Sequence, residues 1–360
     1  MSASVSKIVT LYNHKGGVSK TTTTFNLASY LASKGSKVLL VDADPQCNLT
    51  QIALAPLIDS VDEESVKKSE IVELPGTSLL DVLNQRVQGD SAFIDINKIE
   101  LCNVNRSIDL LRGSVDLSSV EDDLAEAHMQ RLAQRTNLMR TYVAIGDFLV
   151  RLGSKNKYDY IFIDVGPSSG PLTRAFFLVC DYFFVPSAPD RFNVEAVRTL
   201  STILQRWMYE HELIYNSYKS LGLPVRHGKP AFLGLIIQAF KIYKGKPKPA
   251  FKLWQQRLPA EVRRVLRPVL QAHSEKDRVL YLPQSEKKVV AASISDFGQL
   301  APLMQEVGKA VFLLDQSDTA RISESGKPWQ GNNWTDAKKR MERFEASFEQ
   351  LADILKEVNV

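Results

Sequence analysis

The chain has 360 residues, 44% of them hydrophobic and 24% charged, with a formal net charge of +4. That length and apolar content are enough to bury a large core in one or two domains. Only Cys47, Cys102 and Cys180 occur, widely spaced, which argues against a disulfide framework and against a cysteine-held metal or iron–sulfur site. No apolar run is long enough to span a bilayer and no signal-peptide h-region precedes the first strand, so a cytoplasmic protein without a membrane partner is expected.

The first element is the β-rich run Ile8-Val9-Thr10-Leu11-Tyr12, which reads as a strand. His14-Lys15-Gly16-Gly17-Val18-Ser19-Lys20-Thr21-Thr22 follows, and a helical pattern then runs through Asn26, Leu27, Tyr30 and Leu31. Strand, glycine-bearing loop and helix N-terminus make a phosphate cradle, because loop N–H groups and the positive end of the helix dipole face the anion. Lys20 is placed to meet the β/γ-phosphates and the Thr21 hydroxyl to ligate Mg²⁺. The usual spelling of such a loop is G-x-x-x-x-G-K-[ST]; here His14 and Ser19 replace its framing glycines. Ser19 is acceptable provided that its position needs no positive φ.

Lys37-Val38-Leu39-Leu40-Val41-Asp42-Ala43-Asp44 is a second apolar run, ending in two carboxylates at i and i+2 that leave the strand end on one side. Together, residues 7–45 make a βαβ unit. Residues 51–105, with Asp59, Asp62, Glu63 and Glu64, read as loops and short helices, and Ser107–Leu111 as another strand. Helical periodicity dominates from Leu117 to Leu152. Tyr158–Asp164 is again continuously apolar up to its aspartate, as a strand buried on both faces of a parallel sheet requires. Ligands in such sheets bind at the carboxyl ends of the strands. Lys20/Thr21, Asp42/Asp44 and Asp164 therefore form one Mg·nucleotide constellation, and the expected fold is α/β, a mostly parallel twisted sheet with helices on both faces.

Phe183–Pro186 is a further short strand, Ala188–Asn193 is expected at the rim of the nucleotide pocket, and Val194–Leu213 is a helix. The segment from Lys241 to Arg267 holds Lys241, Lys244, Lys246, Lys248, Lys252, Arg257, Arg263, Arg264 and Arg267 against the single acid Glu261. Pro247 and Pro249 suggest a loop in its first half. Pro259 suggests a helix start, with Val262, Val265, Leu266 and Val269 inward and Arg263, Arg264 and Arg267 outward, and Pro268 its end or kink. Interleaved Tyr243, Phe251 and Trp254 complete a patch suited to sequence-independent phosphate contacts with DNA. From Thr335, Ala337, Met341, Phe344, Phe348, Leu351, Leu355 and Val358 draw one apolar stripe; the acids on the opposite face disfavour an anionic membrane and favour packing on the sheet.

The motifs Lys15–Thr22, Asp42-Ala43-Asp44-Pro45-Gln46-Cys47-Asn48-Leu49-Thr50 and Ile163-Asp164-Val165-Gly166-Pro167-Ser168 resemble those of the ParA/MinD-type ATPases, P-loop NTPases with a deviant Walker A motif. Weaker likenesses are Leu110–Ser114, Asp181–Pro186 and Glu324–Pro328, and the second motif is worded as in the ParA branch. The resemblance implies a single domain over 1–360, with an elaboration within 205–320 that is atypical of the family. It implies that Lys15, Gly16, Gly17, Val18, Ser19, Lys20, Thr21 and Thr22 bind ATP, Lys15 reaching across a nucleotide-sandwich homodimer. Asp44 would orient the attacking water, Thr21, Asp42 and Asp164 would serve Mg²⁺, Gly166 would bring its N–H to the γ-phosphate, and Gln238 would contact adenine.

It further implies a slow ATPase, stimulated by a ParB-like or other partner, that binds DNA nonspecifically in its ATP state. The expected task is plasmid or chromosome partition, or cargo positioning on the nucleoid. A switch ATPase of a defence or conjugation system, and an ATP-dependent ligase or maturation enzyme on the same fold, are the alternatives. No helix-turn-helix segment precedes the phosphate loop, so operator-specific autorepression is not expected.

Overall fold

A computed structural model describes residues 6–88, 91–129, 135–240, 242–243, 246–247, 249–282 and 288–358. The expected βαβ unit opens the chain: β1 (Lys7–Leu11), α1 (Lys20–Ser33) and β2 (Val38–Ala43). β3 (Cys102–Asn105), β4 (Ile108–Leu111), β5 (Tyr160–Val165), β6 (Tyr182–Ser187), β7 (Ala231–Phe240) and β10 (Val290–Ser295) complete an eight-stranded sheet in the order β10-β7-β6-β1-β5-β2-β4-β3. Every pairing in it is parallel except that of β3 with β4. A separate two-stranded hairpin joins β8 (Ile242–Tyr243) to β9 (Lys246–Pro247).

Strand alternation divides the core between the two faces. In β2, Leu39 and Val41 lie in one cluster and Val38 and Leu40 in the other; in β5, Ile161 and Ile163 oppose Tyr160 and Phe162. The first face is covered by α4 (Leu79–Val87), α5 (Glu121–Met129), α6 (Thr136–Asn156), α7 (Pro171–Val179) and α8 (Arg191–Ser220). The second is covered by α1, α2 (Asn48–Ala53), α11 (Leu300–Val307) and α12 (Asn332–Glu357). The stripe of α12 packs as expected: Ala337, Met341, Phe344, Phe348, Leu351 and Leu355 are buried against β10 and α1. No helix among the described residues is long and apolar enough to cross a membrane.

Three readings change. The acidic stretch after residue 51, read as loops and short helices, forms one longer helix: Asp59, Asp62, Glu63 and Glu64 lie on α3 (Ala55–Lys68), of whose 14 residues only Ala55 and Val61 are buried. β3, a short antiparallel edge strand, also lies in the stretch read as loops and short helices. In the basic segment, the helix starts not at Pro259 but at Pro249, and Pro259 lies inside α9 (Pro249–Glu261).

The backbone then widens into a π-turn over Val262–Leu266 before α10 (Arg267–Ala272), where Pro268 occupies the first turn. The side chains give the reason. Leu258, Val262, Leu266 and Leu270 are fully buried at a strict spacing of four. On an α-helix, each four-residue step drifts by about 40° around the axis. One π-turn takes up that drift.

Candidate nucleotide-binding site

The segment between β1 and α1 closes over the N-terminus of α1 as a cradle. Gly17 has φ of 71° and Ser19 of 56°, both left-handed. For Ser19 this reverses the expectation: the position does take positive φ, at a cost of about 1 kcal/mol for a residue with a Cβ. Ser19 accepts the Thr23 N–H through its carbonyl at 3.0 Å and makes no side-chain cap, which leaves the first turn of α1 open toward an anion. Gly16, Gly17, Val18, Ser19, Lys20, Thr21 and Thr22 line a cleft of about 720 Å³, within the range of a small-molecule site.

Strand register brings the acids together. Asp42 on β2 and Asp164 on β5 are direct partners across adjacent parallel strands, and β1 lies on the other side of β5. The Thr21 hydroxyl donates to Asp164 Oδ2 at 2.6 Å, while Asp164 Oδ1 is buried without a hydrogen-bond partner. Burial and the Asp42 charge push the Asp164 carboxyl up to about 8, and burial pushes Asp42 up to about 6. Burial lowers the pKa of Lys20, against the pull of Asp164 and Asp44, and its Nζ donates to the Asn13 carbonyl at 3.3 Å. Asp44 lines the cleft and accepts the Gln46 N–H at 3.0 Å. A Cβ at Gly166 would come within 3.2 Å of Asp44 Oδ1, so glycine there permits the close approach of the two segments.

The donor set fits Mg²⁺: a hydroxyl and a carboxylate oxygen without a partner, all hard oxygen donors. No group of three or more His, Cys, Asp or Glu able to hold a metal occurs among the described residues. Asp42 is otherwise committed. Its Oδ2 accepts the Thr50 N–H and hydroxyl at 2.8 and 2.7 Å, and its Oδ1 accepts the Asp44 N–H at 3.3 Å. Gly113 completes this arrangement, donating its N–H to Thr50 Oγ1 at 2.9 Å, with no room for a Cβ beside Asp42 and Cys47.

Two expected residues lie elsewhere. Gln238 is buried, donates to Thr23 Oγ1 at 2.6 Å, and is not part of the cleft wall; its side chain ties β7 to α1. The opposite wall is formed instead by Gln46, Asn48, Gln51 and Ile52 at α2 and by Pro302, Gln305 and Glu306 on α11. No motif marked α11; only the fold brings it over the loop. Lys15 is likewise absent from the wall of its own chain's cleft. Its ammonium pairs with Asp190 at 3.3 Å and lies 5.5 Å from the centre of the exposed Phe192 ring. The rim expected of 188–193 is therefore a seat for Lys15.

Of the nine cations of the basic segment, Lys241, Lys244 and Lys248 lie outside the described residues, and Lys246 is described only for its backbone in β9. Lys252, Arg257, Arg263 and Arg264 are exposed, and Arg257 lies over the Trp254 ring at 5.4 Å. Arg267 is half-buried over Tyr281 at 5.8 Å. Val262 and Leu266 are buried as expected, whereas Val265 and Val269 are only half-buried.

Comparison with known proteins agrees with this geometry. A family model described as an AAA domain matches residues 6–213, more than half of the chain. The chromosome partitioning protein ParA of Caulobacter vibrioides is 31% identical over 208 residues, which is 57% of this chain and 65% of that protein. The chain spans just under two thirds of the length of the curated relatives it matches first. The crystal structure of protein DIP2308 from Corynebacterium diphtheriae superposes with a TM-score of 0.61 at 26% identity, covering 85% of this chain and 97% of that one. The ATP complex of a McdA variant from Cyanothece gives 0.57 at 18% identity, covering 97% of each chain, a likeness of fold alone. The chain belongs to this AAA-domain family and, within it, to the ParA/MinD-type P-loop ATPases.

Proposed function

We propose that the protein is a Mg·ATP-dependent switch ATPase that closes as a homodimer around two nucleotides and binds DNA, without sequence preference, in that closed state. The observation that carries this reading is the separation of the two loop lysines. Lys20 lies in the cleft, where it neutralises phosphate charge within its own chain. Lys15, from the same loop, is held outside the cleft wall by Asp190. Once released from Asp190, a cation outside its own cleft serves a second molecule's triphosphate, as an arginine finger does when supplied in trans.

Within the cleft, Gly16–Thr22 bind the triphosphate and Thr21 with Asp164 would hold Mg²⁺, Asp42 supporting them through Thr50. The ion, when bound, supplies charge neutralisation at the β- and γ-oxygens. Asp44 orients a water whose oxygen attacks the γ-phosphorus; the new P–O bond forms as the bond to the β,γ-bridging oxygen breaks, giving ADP and phosphate. Gly166 presents its N–H from the segment after Asp164. The segments following Asp44 and Asp164 change order between the two nucleotide states. On DNA, the exposed cations of the basic segment contact backbone phosphates. The name of the Caulobacter relative supports a role in partition or cargo positioning, timed by a stimulating partner.

The test is phosphate release and duplex binding in ATP, ADP and no nucleotide. Salt-sensitive DNA retention confined to ATP, with slow phosphate release, is expected. Retention that ignores the nucleotide would overturn the switch.

A further inference from the structure

α8 and α9 meet over Glu261, the last residue of α9, whose side chain is 9% exposed. Its carboxylate receives two guanidinium groups from different elements. Arg198, two turns into α8, donates Nε to Oε1 at 2.5 Å; Arg264, on the π-turn, donates Nη2 to Oε1 at 2.5 Å and Nε to Oε2 at 3.1 Å. Burial works to raise the Glu261 pKa, yet the hydrogen bonds from Arg264 and Arg198 hold it below the usual carboxylate range.

The two arginines remain 56% and 59% exposed and make no other ion pair among the described residues. Two cations share one anion, so the trio carries a net positive charge at the surface. Each guanidinium has five N–H donors; Arg198 spends one on Glu261 and Arg264 two. The shared carboxylate joins α8 to the π-turn, while both guanidinium groups face solvent. As a receptor for an anion it is well built. Two planar forks are fixed on one buried carboxylate, so little side-chain entropy remains to be lost when a tetrahedral oxyanion arrives.

We infer that Arg198 and Arg264, held side by side by Glu261, clamp one backbone phosphate of a bound nucleic acid, with Glu261 as the positioning residue. This rests on the nucleic-acid reading above and goes beyond it. It adds a residue of α8 that lies outside the basic segment, and it makes the segment's one acid part of the binding surface rather than a diluent of its charge.

The experiment is fluorescence anisotropy of a labelled random-sequence duplex with the full chain, ATP and Mg²⁺, from about 50 to 200 mM KCl. Arg198→Ala should weaken binding by roughly five- to tenfold and flatten the plot of log affinity against log salt by about 0.9, the loss of one phosphate contact. Arg198→Lys, which keeps the charge but not the fork, should weaken binding while keeping the slope. Glu261→Gln discriminates most sharply. It raises the net charge by one, so unstructured electrostatic attraction predicts tighter binding, whereas loss of the clamp predicts weaker binding. Arg151→Ala on α6 removes the same charge from the Asp147 pair and should change neither quantity. Wild-type affinity and slope in Arg198→Ala, or tighter binding by Glu261→Gln, would overturn the clamp while leaving the DNA reading intact. A wild-type protein that binds no duplex under any nucleotide would overturn both.

Discussion

The Lys15 ammonium sits 3.3 Å from both carboxylate oxygens of Asp190, the residue that caps α8 by accepting the Asn193 N–H and side-chain amide at 2.8 Å each. The loop cation is thus parked on a helix N-cap, and reaching a second molecule's nucleotide requires it to leave. Asp190→Asn keeps the cap, since asparagine caps as well as aspartate, but removes the charge that holds Lys15. With both partners about a third or more exposed, the pair is worth at most about 1 kcal/mol. The variant should therefore dimerise at an ATP concentration up to about fivefold lower, measured by light scattering across an ATP titration. An unchanged midpoint would show that the pair does not restrain the lysine.

Thr21 and Asp164 set a second expectation. Thr21→Ala removes the hydrogen bond that Asp164 Oδ2 accepts, beside an Oδ1 that already has none. Leaving a buried polar group unsatisfied costs about 1–3 kcal/mol, and the melting temperature should fall accordingly. Nucleotide affinity should fall strongly with Mg²⁺ present and little in EDTA. Equal losses in the two conditions would place the hydroxyl's role in folding alone.

Ser19 permits a test of strain. At φ of 56° it occupies a conformation that glycine adopts without penalty. Ser19→Gly should leave stability unchanged or raise it by up to about 1 kcal/mol in urea melts, because relief of the left-handed cost is offset by the greater freedom of the unfolded chain. Ser19→Val should lower it and weaken ATP binding by distorting the loop.

His211 provides the pH dependence. It is buried between Tyr142 and the Arg226 carbonyl, its Nδ1 2.6 Å from the phenol and its Nε2 2.8 Å from the carbonyl oxygen. A carbonyl only accepts, so Nε2 carries the proton and Nδ1 accepts from Tyr142; the neutral ring is fully satisfied. Burial lowers its pKa to about 4, and the positive charges of His128, His227 and Lys229 push the same way, against the Arg226 carbonyl. The unfolded chain takes up this proton near pH 6.5 and the folded protein only near 4. Between those values the unfolded state binds more protons, so stability falls as pH falls, by roughly 3 kcal/mol at most over the window. Urea melts from about pH 7.5 to 4 should show this slope, and His211→Gln should flatten it by about one proton.

Much of the sheet was legible because its strands announce themselves. Val38–Asp42 and Tyr160–Asp164 are apolar on both faces, which only a doubly covered strand tolerates, and their terminal aspartates fall in register because the strands are neighbours. What could not be read came from tertiary contact. α3 turns Leu57, Ile58 and Val61 to the core, a short stripe masked in the sequence by the acids Asp59, Asp62, Glu63 and Glu64 around it. Gln238 closes an apolar run in β7, and its bond to Thr23 of α1 is a contact that only the folded sheet reveals. Glu306 and Gln305 reach the cleft from α11, far from the loop in sequence. Pro259 read as a helix start because proline favours first turns; the four-residue spacing from Leu258 to Leu270 was the available sign of a continuous, locally widened helix.

The central claim is that Lys15 acts on a second molecule's nucleotide and not on its own. Light scattering of wild-type and Lys15→Ala protein in ATP with Mg²⁺, beside a direct measurement of ATP affinity for each, tests it most directly. The mass of the wild type should double with ATP and not with ADP, while Lys15→Ala should stay monomeric and bind ATP within about twofold of wild type. A Lys15→Ala protein that still doubles its mass and hydrolyses ATP at the wild-type rate would contradict the account.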